Sequence, residues 1–187
     1  ATNLYMPSIM RDFPEFHYDE MKSRAENVLT SYLQSITGQN PALLSEGTKE
    51  LKEQLRLRLE MLQNQSQKES FENIHIHRTE IHQYRKQRGR QSIVLQTAVE
   101  YFHALKENGK VIRGSEEHKE QAKYNVELVY IQDQDMIENQ EDAGLGLNCP
   151  NCGAPLPGLG AKKCIYCDTP IVEYNLRVWN FSRVEEV

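Results

Sequence analysis

The four cysteines of this chain form two pairs, and two residues separate the cysteines of each pair. Cys149 and Cys152 form the first pair, and Cys164 and Cys167 form the second. A tight turn directs both sulfur atoms of such a pair at one ion, so two turns complete the tetrahedral four-sulfur shell that zinc prefers. Gly153 is expected to supply a left-handed backbone for the first turn. Because a closed shell leaves no open coordination position, the pattern predicts a structural Zn²⁺.

The segment that carries these cysteines, about residues 148–169, is too short to hold a core of its own. A chain of fewer than about 40 residues needs a metal, disulfides or a partner to fold. Structural zinc contributes about 10 to 16 kcal/mol in finger peptides, which is enough to organise such a segment. Two disulfides or a dithiol redox pair are the alternatives, but neither pair has a thioredoxin-like strand and helix around it.

Two amphipathic helices are predicted before residue 66. In the first, over 18–37, apolar residues recur every three or four positions and define a buried stripe. The second helix is predicted from Pro41, with Asn40 as its N-cap, to about Gln65. The first stripe consists of Met21, Ala25, Val28, Leu29, Tyr32, Leu33 and Ile36, and the second of Leu44, Leu51, Leu55, Leu59 and Leu62.

Beyond residue 66 the apolar residues alternate, as they do in strands. Strands are predicted over 71–85, with a bend near Arg78 where the alternation shifts, and over 92–105. Asn108 and Gly109 predict a tight hairpin, after which Val111 returns along the preceding strand. Further strands are predicted over 124–130 and from Val172 onward, and these two are expected to pair. An acidic segment over 132–142 is expected to be a flexible lead into the cysteine-containing segment.

Composition describes an ordinary soluble globular domain, with 39% hydrophobic and 26% charged residues in 187. A formal net charge of −5 gives no general attraction to nucleic acid or anionic lipid. Cysteines confined to a metal pattern favour a reducing compartment, so the cytoplasmic side is expected. Because the chain opens on Ala1 and not on methionine, we expect it to be part of a longer protein.

The predicted fold class is α+β, with two N-terminal helices packed on a strongly bent, cone-like antiparallel sheet. This layout resembles the fold named after nuclear transport factor two. Four segments are more specifically similar to bacterial proteins of the Tim-forty-four-like family, whose bacterial members often carry a zinc ribbon before the last strand. These segments are Phe13-Pro14-Glu15-Phe16, Lys22-Ser23-Arg24-Ala25-Glu26-Asn27, Val99-Glu100-Tyr101-Phe102 and Val178-Trp179-Asn180-Phe181-Ser182-Arg183-Val184-Glu185-Glu186.

The resemblance implies a main domain formed by residues 1–142 and 170–187, with a zinc ribbon inserted over 143–169. It also implies a non-enzymatic binding or scaffold module in a membrane-associated bacterial protein, with a membrane anchor upstream of this chain and a link to protein transport. The expected partner is a protein or peptide, and an apolar small ligand in the cleft between helices and sheet is a further expectation.

Two other functions start from specific residues. An acid–base enzyme could use His75 and His77, which share one strand face, with Glu80 and His82 nearby and with Tyr101 and His103 on the next strand. No carboxylate is evidently placed to orient these histidines, so a solvated sheet face is favoured and no catalytic residue is assigned.

Nucleic-acid binding is also disfavoured, because the predicted ribbon and the sheet turn offer few cations, namely Lys162, Lys163, Arg85, Lys86, Arg88 and Arg90, with the aromatic Tyr166.

Overall fold

The computed structural model describes residues 1–87, 89–131, 151–154, 163–168 and 179–187. In these described residues, three α-helices precede five strands, and the helices pack on a bent antiparallel sheet with the cysteine cluster before the last strand. The predicted α+β fold class is therefore confirmed. The elements are α1 (Thr2–Asp12), α2 (Tyr18–Gly38), a short 3₁₀ helix (Pro41–Leu43), α3 (Lys49–Asn64), β1 (Gln67–Gln87), β2 (Arg90–Glu107), β3 (Lys110–Gly114), β4 (Glu120–Ile131) and β5 (Trp179–Glu186).

The strands run in the order β1-β2-β4-β5, and β3 pairs with the end of β2 that β4 leaves free. The predicted pairing of the final strand with residues 124–130 is confirmed for the described part, because Tyr130 lies opposite Trp179 and Tyr124 opposite Glu186. The predicted strand residues Val172, Tyr174, Leu176 and Val178 lie outside the described residues, as do the predicted acidic lead over 132–142, Arg88 and Lys162.

The sheet bends because β1 does not keep one register along its 21 residues. Its pairing with β2 shifts at three places, and one of them, between Ile76 and Arg78, is the bend that the sequence predicted. Extra residues in one strand increase its local twist and curl the sheet. The predicted hairpin also forms, since Asn108 and Gly109 both have positive φ, 52° and 78°, and β3 folds back on β2.

Helix α2 buries the predicted stripe, but the predicted second helix is wrong at its start. Asn40 caps only the 3₁₀ turn, through a 3.0 Å bond from the Ala42 N–H to its side chain. The chain then becomes extended, and Thr48 is the N-cap of α3. Tertiary bonds cause the interruption, because the Thr48 N–H donates 2.8 Å to the Phe181 carbonyl of β5 and so fixes where α3 can begin.

Helix α1 was not predicted. Its tyrosine and methionine side chains and the buried Ile9 follow a helical stripe, but Pro7 lies inside the helix. Proline removes one backbone donor and crowds the preceding turn, so a helix through it is disfavoured by local sequence alone. Packing on β1 stabilises α1, since Ile9 is fully buried.

Helix side chains cover both outer edges of the sheet. On β1, the Ile81 N–H donates 2.9 Å to the Thr2 hydroxyl, and the Phe71 N–H donates 2.9 Å to the Thr37 hydroxyl. On β5, the Gln54 amide donates to the Val184 carbonyl and accepts from the Val184 N–H at 3.3 Å. These bonds satisfy backbone groups to which none of the described strands pairs, and they disfavour pairing of other chains at those positions.

Three of the four segments that carry the family resemblance meet at one corner of the core. Phe13 and Phe16 place their rings 4.9 and 5.6 Å from the ring of Trp179. Arg24 donates to the Trp179 carbonyl at 3.1 Å and lies 5.5 Å over the Phe181 ring. Their shared role in this structure is to join α2 and the N-terminal chain to β5.

Candidate functional site

The described cysteines lie close enough to share one ion. The sulfur atoms of Cys152, Cys164 and Cys167 all lie within 4.8 Å of one another, and those of Cys152 and Cys164 are 3.7 Å apart. Zn–S bonds of about 2.3 Å in a tetrahedron separate two sulfur atoms by about 3.8 Å, so this spacing fits zinc. A disulfide needs about 2.05 Å, so Cys152 and Cys164 are not bonded to each other. Cys149, the fourth predicted ligand, lies outside the described residues.

Local backbone geometry turns the sulfur atoms inward. The Tyr166 N–H donates to the Cys164 sulfur at 3.4 Å. The residue after the second cysteine of each pair has positive φ, 74° at Gly153 and 59° at Asp168. The left-handed backbone predicted at Gly153 is thus confirmed. Cys164 is fully buried, so the cluster has an interior as well as an exposed side. Three of the four predicted ligands can therefore hold a metal ion.

A second candidate site is a cavity of about 630 Å³ between the helices and the sheet. Helices α2 and α3 form one wall, and the concave face of the sheet forms the other. Its lining combines apolar side chains with a set of tyrosine, histidine and charged groups. The lining includes Tyr32, Gln54, Leu57, Arg58, Met61, Glu69, Tyr101, His103, Arg113, Glu120, Tyr124 and Glu186.

His103 is held in this cavity by two carboxylates. Its Nε2 lies 2.7 Å from Glu69 and its Nδ1 3.0 Å from Glu120. The Glu69 side chain is only 4% exposed and is also paired with Arg58 at 2.5 Å. The expectation that no carboxylate orients the histidines was therefore wrong for His103. Glu69 was missed because the first strand was predicted to begin at residue 71, whereas β1 begins at Gln67.

These contacts shift the pKa values of both His103 and Glu69. The hydrogen bond to Glu69 raises the pKa of His103 above its ordinary value, and this effect together with the Glu120 charge outweighs burial, which lowers it. Burial raises the pKa of Glu69, but hydrogen bonds from His103 and Arg58 outweigh it, so the pKa is lowered overall. The buried carboxylate is thus kept ionised by the Arg58 guanidinium and by its hydrogen bond with His103, and such pairing is the condition under which a buried charge is tolerated.

Two phenols lie beside this network. The hydroxyls of Tyr101 and Tyr124 are 2.8 Å apart. Burial raises the pKa of Tyr101 to about 12 and also raises that of Tyr124, so both stay neutral donors at physiological pH. Tyr32 accepts a 2.9 Å bond from Gln54, which places a third hydroxyl in the cavity.

Gly114 allows β3 to approach His103. It has φ of 76°, and a Cβ atom there would collide with the backbone of His103. The next N–H, that of Ser115, donates 2.7 Å to the His103 carbonyl. A glycine is therefore required at this end of β3, and no signal in the sequence distinguished it from an ordinary turn glycine.

The other predicted histidines do not join His103. His75 and His77 are exposed on β1, with ring centres 4.9 Å apart, and His77 lies 3.3 Å from Glu100. Glu80 pairs with Arg78, and His82 is exposed. These residues form the solvated sheet face that the sequence favoured, whereas Tyr101 and His103 face the cavity.

The basic residues near the β1–β2 turn are largely neutralised. Lys86 pairs with Asp12 at 2.6 Å, and Arg90 pairs with Glu127 at 3.0 Å. Lys163, beside the cysteines, lies 3.4 Å from Asp168. Phosphate binding needs cations with available charge, so none of these described pairs favours nucleic acid.

No family model matches this chain, and no curated protein matches it. The Tim-forty-four-like resemblance therefore remains a prediction that rests on the four segments quoted above. Within the described residues, none of the helices has the length and apolar character that crossing a bilayer requires.

Replacing Cys164 with serine is expected to abolish stoichiometric zinc binding, because the fully buried sulfur faces the shared ion position. Metal content by X-ray fluorescence and protection of helix α3 by hydrogen exchange would be measured together. The control is Lys163→Gln, an exposed substitution beside the cluster that leaves all sulfur atoms in place. Loss of zinc with α3 still protected is expected, whereas equal destabilisation of the whole domain would contradict an independent metal-binding segment.

Replacing Glu69 with glutamine is expected to cost stability in a pH-dependent way. Because the pKa of His103 is raised in the folded protein, this group stabilises the fold fully at pH values below its ordinary pKa of 6.5, and the contribution is lost as the pH rises through the folded-state pKa. Because the pKa of Glu69 is lowered in the folded protein, this group stabilises the fold fully at pH values above its ordinary pKa of 4.5, and the contribution is lost as the pH falls through the folded-state pKa. The difference from wild type should therefore be largest between 4.5 and 6.5.

Urea unfolding of wild type and Glu69→Gln across this pH range measures the difference, with Glu72→Gln on the exposed side of β1 as the control. A difference that does not change with pH would show that the Glu69 carboxylate is not coupled to His103.

Proposed function

We propose that this chain is a non-enzymatic binding module whose internal cavity accepts an apolar small ligand or the side chains of a partner segment. The observation that carries the proposal is the cavity itself, about 630 Å³ between the two layers, with an apolar wall that remains accessible. Leu57 and Met61 lie one helical turn apart on α3, line this cavity and are 52% and 39% exposed. Covering such side chains contributes about 25 cal/mol per Å² of apolar surface.

The cysteine cluster is proposed to be a structural zinc site, completed by Cys149. The support is chemical: zinc takes four cysteine thiolates in closed structural sites, and the three described cysteines have the matching separation. Such an ion would stabilise the segment before β5 and supply no open position for a substrate.

Membrane tethering on the cytoplasmic side and a link to protein transport are further parts of the proposal, and the resemblance to the Tim-forty-four-like family is their support. A tether would lie outside this chain. Fractionation of the full-length gene product tests this part: recovery in the membrane pellet is expected, and recovery in the soluble fraction alone would contradict it.

An acid–base enzyme is the second candidate, because Glu69 orients His103 inside a cavity as general-base pairs require. Both ring nitrogens are already engaged, however, and Arg58 ties the same carboxylate to α3. With these contacts, the network of Glu69, His103 and Arg58 acts as a structural brace between α3 and the sheet. We therefore favour ligand binding over proton transfer as the role of the cavity.

Replacing Leu57 with glutamate is expected to weaken binding of a neutral fluorescent probe, N-phenyl-1-naphthylamine, by about tenfold or more, because a bound apolar group would desolvate the new carboxylate. Leu43→Glu is the matched control, since Leu43 is similarly exposed, 47%, and does not line the cavity. Fluorescence titration measures both. An equal effect of the two substitutions, or none at Leu57, would contradict a ligand cavity.

A further inference from the structure

Strand β3 differs from the other edges of the sheet. The outer edges of β1 and β5 are bonded by helix side chains, whereas β3, among the strands that the structure describes, pairs with β2 alone, and all five of its residues are exposed. Val111 and Ile112 are 41% and 51% exposed there. An exposed edge strand with β-branched side chains presents unpaired backbone groups to any extended chain. Among the described strands, β3 therefore has the features of an edge that a partner strand can extend.

A hollow of about 270 Å³ lies beside β3, between this strand and the C-terminal end of α3. Ile112 and Met61 contribute apolar surface to it, and both are substantially exposed. A strand added to the edge of a sheet directs alternate side chains to one face. One set of alternate side chains of an added peptide would thus enter the hollow, while its backbone bonds to β3.

The positive charge of β3 determines which kind of peptide can pair with it. Lys110 and Arg113 lie on β3, and neither forms an ion pair with a described residue. Antiparallel pairing of β3 with β3 of a second copy would bring these cations close together, and like charges at opposed positions destabilise a strand pair. In the pairing of β3 with β2, Lys110 lies opposite Glu107 and Arg113 opposite Leu105, so both cations are on the side of the sheet that faces the hollow. A peptide with carboxylates at alternate positions would neutralise both.

We propose that the outer edge of β3 binds an extended peptide of a partner protein in which acidic and apolar residues alternate. The backbone of the peptide continues the sheet, and its carboxylates face Lys110 and Arg113 on the side of the hollow. Its apolar side chains lie on the opposite face of the sheet, beside Val111. This surface is distinct from the internal cavity, although Arg113 borders both.

The test uses a fluorescein-labelled peptide of four Glu-Val repeats and fluorescence anisotropy with the full chain. We expect saturable binding that weakens with added salt. The double substitution Lys110→Glu and Arg113→Glu should lower the affinity at least tenfold and create binding of the matched Lys-Val peptide. Lys123→Glu, an exposed cation of β4, is the control and should leave the affinity unchanged.

Backbone pairing is tested separately with the same Glu-Val peptide methylated at every backbone nitrogen. A loss of at least tenfold is expected, because neither edge of the methylated peptide can donate to β3. Equal binding of both peptides, or insensitivity to the charge reversal, would overturn strand addition. Dimerisation of the chain through β3 in sedimentation equilibrium would also overturn it, in favour of a second copy as occupant. None of these outcomes depends on probe binding in the cavity, so the two proposals can fail independently.

Discussion

The contact between Gln54 and Val184 is the interaction on which the shape of this domain depends. The side-chain amide of Gln54 presents one donor and one acceptor to β5, as a neighbouring strand would, and also donates to Tyr32 of α2. One residue thus joins both large helices to the last strand. An unsatisfied backbone group costs about 1 to 3 kcal/mol when buried, so this amide both closes the edge and fixes the height of the helices above the sheet.

The cavity follows from that constraint. The helices are bonded to the sheet mainly at its two edges, through Thr37 on β1 and through Thr48 and Gln54 on β5. The bulged, curved strands recede between those edges, and the Glu69–His103–Arg58 network bridges part of the space. Polar groups in the cavity therefore brace the two layers, while Leu57 and Met61 supply accessible apolar surface. Strand β3 lies beyond the reach of these edge contacts.

Much of this fold could be predicted from periodicity. The α2 stripe, the bend near Arg78 and the hairpin at Asn108 are local signals, and the structure bears them out. Tertiary contacts decided the rest: packing overrode Pro7 in α1, and a bond to β5 delayed the start of α3.

Of the two candidate sites, one could be predicted from local sequence and the other could not. The cysteine spacing predicted a metal cluster because its turns are local. Glu69 and His103 are 34 residues apart, and only the register of β1 on β2 brings them together, so residue types alone could not reveal the pair.

Native-state hydrogen exchange of the Val184 amide, compared between wild type and Gln54→Leu, tests the edge closure most directly. Exchange as slow as that of interior ladder amides, accelerated at least tenfold by the substitution, is expected. Rapid exchange in the wild type, or no acceleration, would contradict the closure of this edge by Gln54.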